Sequence, residues 1–240
     1  MTEPAAAAPG SPGTPGTPGT PGAAAPMPTN VPSWKLLLAL GGGGALAGLI
    51  IVLFYAWTLP RVEAYKATVL RSALVEVLHD PARCDTLWLI DGVLNERRPA
   101  GDSAKGFERV FLGYDAAGKP VGFAIPVAEA GFADLIEMIV GYDPSAHTVL
   151  GLKVLANKET PGIADKVFKP GYTSQFAGRG APLVGVKKSG GDREAAAGKG
   201  AVVMVTGATI SSRAVIRGIN KAIVRWQPLL DAYAARGGKS

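Results

Sequence analysis

The 240-residue chain carries 25 Lys and Arg against 19 Asp and Glu, a formal net charge of +6, and 48% of its residues are hydrophobic. A single cysteine excludes an intrachain disulfide, and two histidines, His79 and His147, offer neither zinc-ligand spacing nor a haem-attachment motif. No Lys/Arg cluster interleaved with aromatics marks a nucleic-acid groove, so neither a metal nor a nucleic acid is expected as a partner, and any redox chemistry needs an organic carrier.

Residues 1–33 are almost entirely Ala, Pro, Gly, Thr and Ser, with the repeat Gly13-Thr14-Pro15, Gly16-Thr17-Pro18, Gly19-Thr20-Pro21. Too few apolar side chains are present there to offset ordering entropy, which predicts a disordered tail. From 36 to 57 no residue is charged, and Leu, Ile, Val, Ala and Phe dominate. That length matches the roughly 20 residues that cross a bilayer, and Trp34, Tyr55 and Trp57 stand where interfacial aromatics belong, so 34–58 is expected to be a transmembrane helix. A glycine run at 41–44 permits close approach of a second membrane helix. Lys35 precedes the span while Arg61, Lys66 and Arg71 follow it, an asymmetry that by itself directs 59–240 to the cytoplasm.

Beyond the span, Val62, Tyr65, Val69, Leu70, Ala73, Leu74 and Val77 predict an amphipathic helix over 59–78, bent at Pro60 and stopped by Asp80-Pro81. A short strand is expected at 86–90. Two hairpins follow: 109–114 with 121–125 around a turn-rich link ending Gly118-Lys119-Pro120, and 135–142 with 149–155 around Asp143-Pro144-Ser145-Ala146. Pro161-Gly162 reads as a tight turn, 165–168 as one helical turn, and the polar, glycine-rich 189–200 as a mobile surface loop. A strand at 202–205 leads into Thr206-Gly207-Ala208-Thr209-Ile210-Ser211-Ser212. From 214 to 227, Val215, Ile219, Ala222, Ile223 and Trp226 recur at helical spacing, with Leu229 and Leu230 continuing the face; Pro228 is expected to end or kink this helix. Ser211 or Ser212 is expected to cap it, and Gly207-Ala208 leaves little bulk in front of its free N–H groups, which suits a phosphate. The fold expected is α+β: an antiparallel sheet made from the two hairpins and the 202–205 strand, flanked by helices, behind one N-terminal transmembrane helix.

Two stretches carry a family resemblance. Lys158-Glu159-Thr160-Pro161-Gly162-Ile163-Ala164-Asp165-Lys166 is similar to the Glu-Thr-Pro-Gly-Leu-Gly-Asp-Lys signature of FMN-binding electron-transfer domains, and Thr206-Gly207-Ala208-Thr209 resembles their Ser/Thr-Gly-Ala-Thr flavinylation motif. With the preceding hairpins and the single membrane helix, the pair resembles the G subunit of Rnf electron-transport complexes and, slightly less, the C subunit of the sodium-pumping NADH:quinone reductase, over residues 36 to about 230. The resemblance implies FMN esterified through its phosphate to Thr209, with Thr206, Gly207, Ala208, Ile210 and Ser211 around the attachment and Glu159, Thr160, Gly162 and Ile163 against the flavin. It also implies other membrane subunits of an Rnf-type complex as partners, an inner-membrane location, and a flavin domain on the non-cytoplasmic side, against the charge asymmetry. Val203 stands where the family's motif usually has Asp. The functions implied are an electron-relaying subunit rather than a stand-alone enzyme, a flavin-binding regulatory or assembly module, or a structural anchor without flavin.

Overall fold

The computed structural model describes residues 32–99, 106–156, 165–187 and 200–237. The tail expected over 1–33 and the loops at 157–164 and 189–200 therefore lie wholly or mostly outside the described residues. The chain divides into two units, 1–58 and 59–240.

Helix α1 is Ser33–Val77. Its apolar part is long and apolar enough to cross a membrane by length and composition. Pro60 lies inside the helix, so the expected bend does not interrupt it. A proline removes one amide donor from the helical ladder, and the remaining turns of a long helix survive that loss. In the second unit the last turns of α1 bury Ala73, Leu74 and Val77, as the amphipathic pattern predicts, while Val62 and Tyr65 stay exposed.

The main sheet contains β1 (Arg83–Ile90), β2 (Val93–Asn95), β3 (Arg109–Tyr114), β4 (Pro120–Ala130), β5 (Leu135–Asp143), β6 (Thr148–Ala156) and β7 (Arg179–Gly180). Their order is β2-β1-β3-β4-β5-β6-β7, and every pairing is antiparallel. Strand periodicity sends alternate side chains to opposite faces. Val110, Leu112, Phe123, Ile125, Met138 and Val140 point into the principal core, whereas Phe111, Ala124 and Ile139 join Ala73, Leu74, Val77 and Leu78 on the other face. Both faces are covered, which is why the strands read as continuous apolar runs.

Close packing of α1 on the sheet depends on two cross-strand partners, Gly141 and Gly151. A Cβ at Gly141 would lie 2.2 Å from the Val77 carbonyl oxygen, and one at Gly151 would lie 3.1 Å from Val77 Cα. These glycines let the helix end approach the strand backbone itself.

After β6 the chain forms a 3-10 turn, Asp165–Phe168, the short helix α2 (Pro170–Thr173) and a second 3-10 turn, Ser174–Phe176. Strands β8 (Val184–Val186) and β9 (Ala201–Val203) pair in parallel as a separate two-stranded sheet. This corrects the expectation that 202–205 extends the antiparallel sheet. The free edge of β9 is occupied by a side chain instead: Val203 N–H donates to Gln175 Oε1 at 3.1 Å, and Gln175 Nε2 donates to Val203 O at 3.4 Å.

Helix α3, Thr209–Ala235, lies over the principal core and buries Val215, Ile219, Ile223, Trp226, Leu230 and Tyr233. It starts earlier than the apolar periodicity suggests and continues past Pro228, so the proline does not end it. The proline withholds a helical donor from the Val224 carbonyl, a residue that is 77% exposed, while Leu230 and Tyr233 hold the following turns in the core.

Candidate functional site

Strand β9 leaves the small sheet and turns through Thr206 and Gly207 into α3. Gly207 has φ +87°, a conformation that side-chain-bearing residues resist, and an added Cβ would meet no atom within 4 Å. Glycine is thus required here by the backbone, while the space beside it is open. Ala208 does not serve ligand access: it is 4% exposed and belongs to the core. Thr206 and Gly207 are exposed, Thr209 is half-buried, and Ile210 is 56% exposed.

The first residue of α3 is Thr209, and Ala208 at the cap position gives it no side-chain cap among the described residues. Ser211 and Ser212, expected at the cap, are the third and fourth residues of the helix and are buried, at 2% and 0% exposure. Ser212 has another task. Its Oγ accepts from Val205 N–H at 3.1 Å, while its own N–H donates to Ala208 O at 2.9 Å, so it ties the exit of β9 to the first turn of α3. Tyr172 O–H donates to Ser212 O at 3.3 Å, and burial holds that hydroxyl's pKa well above the usual tyrosine value, keeping it a donor. Nothing in the sequence distinguished Ser212 from Ser211, and Tyr172 carried no motif.

With Tyr172 and Gln175 both bonded to the 203–212 region, the segment that emerges from 157–164 is fixed beside the start of α3. Glu159, Thr160, Gly162 and Ile163 themselves lie outside the described residues. The first described residue after them, Asp165, pairs through Oδ2 with Lys169 at 3.1 Å, and its buried Oδ1 meets no hydrogen-bond partner among the described residues.

Chemically, the turn offers the Thr209 hydroxyl, the helix-initial N–H groups left without a side-chain cap, and Arg213 one turn further on. No acidic residue stands in the first turn of α3. That set of donors and positive charge matches a phosphate group. Arg213 also lines a shallow groove of ≈350 Å³ with Gly185, Met204, Ile216 and Asn220. A larger cavity of ≈820 Å³ lies elsewhere, walled by Tyr65, Phe111, Met138, Leu155 and Trp226, and Thr209 does not border it.

Comparison with known proteins shows what the chain is similar to. A sequence model of the FMN-binding domain matches residues 131–224, a span that includes both motifs. The G subunit of the ion-translocating oxidoreductase complex of Methanosarcina acetivorans is 23% identical over 79% of this chain and 92% of its own length. The corresponding protein of Shewanella baltica is 37% identical over 45% of this chain, and the chain spans about half the length of that relative, 50%. The G subunit of the proton-translocating ferredoxin:NAD(+) oxidoreductase complex of Clostridium ljungdahlii is 27% identical over 44% of this chain and 53% of its own. Among solved structures, NqrC of Shewanella oneidensis superposes with a TM-score of 0.57 at 20% identity, over 70% of this chain and 99% of that one, which establishes a shared fold. Residues 131–224 are thus similar to the FMN-binding domain, and the chain shares the fold of NqrC over 70% of its length.

Proposed function

We propose that this protein is a membrane-anchored flavoprotein subunit of an Rnf-type ion-translocating ferredoxin:NAD oxidoreductase, relaying electrons through an FMN esterified to Thr209. The observation that carries the proposal is the position of Thr209. Within an FMN-binding domain, a half-buried hydroxyl opens a helix that no side chain caps, next to an exposed, open turn. The Thr209 hydroxyl would hold the FMN through a phosphoester, with the phosphate at the start of α3. The flavin supplies the redox chemistry when bound; the chain binds and orients it. Helix-initial N–H groups would donate to the phosphate, and Asp165 follows directly on the segment that bears Glu159, Thr160, Gly162 and Ile163. Those four residues, with Thr206, Gly207, Ala208, Ile210 and Ser211, complete the proposed cofactor-binding set.

The partners proposed are the other membrane subunits of such a complex, supported by the relatives that share this chain's sequence. The flavin domain is placed on the non-cytoplasmic side, because a large folded domain outweighs weak flanking charge; digestion of the domain by protease added to sealed spheroplasts checks this, and protection reverses it. Val203 in place of the family's usual Asp favours a second reading, a structural anchor without flavin.

Gel fluorescence separates the two. Full-length protein co-expressed with a flavin transferase is expected to stay fluorescent through denaturing electrophoresis, and Thr209→Ala is expected to lose the signal entirely. Retained fluorescence in Thr209→Ala rejects the site, and a dark wild-type band supports the anchor.

A further inference from the structure

Helix α3 carries its basic residues in a row. Arg213, Arg217, Lys221 and Arg225 follow one another at four-residue spacing, and no acid occurs in α3 before Asp231. Residues four apart on a helix are neighbours, so this row sets like charges beside one another and is unfavourable unless something neutralises it. Three of the four are neutralised. Arg217 Nε donates to Glu129 Oε1 at 2.7 Å, Lys221 Nζ reaches both oxygens of the same carboxylate at 3.0 and 3.1 Å, and Arg225 pairs with Glu108 at 2.5 Å. Arg213 is the exception. It is exposed, and among the described residues it meets no carboxylate.

The next position up the row at the same spacing is Thr209. Helical side chains as a rule lean back over the turn on their N-terminal side, which for Arg213 is the Thr209 turn. A phosphate there would supply the counter-charge that the row lacks among the described residues, with guanidinium geometry suited to phosphate oxygens.

We propose that Arg213 is the counter-charge of the phosphate on Thr209, a positioning residue that seats the linked flavin against the start of α3. This rests on the ester at Thr209 proposed above. Glu129 and Glu108 are already committed to the other three cations, so among the described residues Arg213 is left for an anion delivered with the cofactor.

The test uses the full-length protein, co-expressed with a flavin transferase and purified in detergent, as wild type, Arg213→Ala, Arg213→Glu, Arg213→Lys and the control Arg225→Ala. Intact mass reports loading, and time-resolved fluorescence anisotropy of the attached flavin reports how firmly it is held. Because Arg213 is exposed, equal melting temperatures are expected across the set and verify folding. The expected result is fast local flavin motion in Arg213→Ala and Arg213→Glu, with the restrained fraction reduced about threefold or more, near wild-type restraint in Arg213→Lys, and no change in Arg225→Ala. High salt should loosen the wild type towards Arg213→Ala. Loaded wild type and Arg213→Ala with the same anisotropy overturn the role of Arg213 alone. A wild type without added flavin mass rejects the ester at Thr209 and the role of Arg213 with it.

Discussion

At the scale of single residues, Glu129 shows how charge holds α3 to the sheet. Its side chain is 12% exposed and receives Arg217 and Lys221, and Arg217 also donates to Ala130 O at 3.0 Å. Burial pushes the Glu129 carboxyl up, but the hydrogen bonds from Arg217 and Lys221 outweigh it and hold the group below the usual glutamate range. A carboxyl whose folded pKa is depressed contributes stability above its unfolded pKa and loses it as pH falls through the folded value. Glu129→Gln is therefore expected to cost about 1–2 kcal/mol at neutral pH, a modest figure because the partner side chains are 48% and 63% exposed. The difference between variant and wild type should shrink as pH drops below the ordinary glutamate range, where the wild-type group is protonated too. Thermal melts at pH 7 and pH 3 check this, and a gap that widens on acidification contradicts it.

Among the elements, the contact between α1 and the sheet is set by the absence of side chains at Gly141 and Gly151. A methyl group at Gly141 meets the backbone of Val77 rather than the end of a flexible side chain, so relief requires moving the helix. Gly141→Ala is expected to destabilise the second unit by about 2–3 kcal/mol, read as a lowered urea midpoint with little change in slope. An unchanged midpoint would mean that α1 does not pack there. The two central hairpins were legible in the sequence because Asp115 to Pro120 and Asp143-Pro144 punctuate dense β-branched runs. Strands β2, β7 and β8 were not, since two or three residues are too few to show alternation. Glycines in a strand read as weakness when taken alone; only the pairing of Gly141 with Gly151 beneath Val77 reveals their use. Pro228 does not end the helix, because the burial of Leu230 and Tyr233 carries the turns beyond it. At the site, the strand-to-helix turn was visible from Thr206 to Thr209, whereas the role of Ser212 depends on a contact with Val205 that no spacing encodes.

The whole molecule joins a segment suited to a membrane with a sheet whose two faces are both covered, so that the 206–212 turn is held by tertiary contacts from Tyr172 and Gln175. Contacts of that kind pre-organise the turn, which lowers the ordering cost of binding a ligand there. The net charge of +6 resides in 59–240, because Glu3 and Lys35 cancel before it, and the α3 row is part of that excess. The account as a whole depends on a flavin joined to this chain by a covalent bond. Intact mass spectrometry of the protein isolated from its native membranes tests that most directly. The expected result is a single species heavier than the polypeptide by one FMN less one water, with the addition mapping by fragmentation to Thr209. A mass equal to that of the bare polypeptide would contradict it.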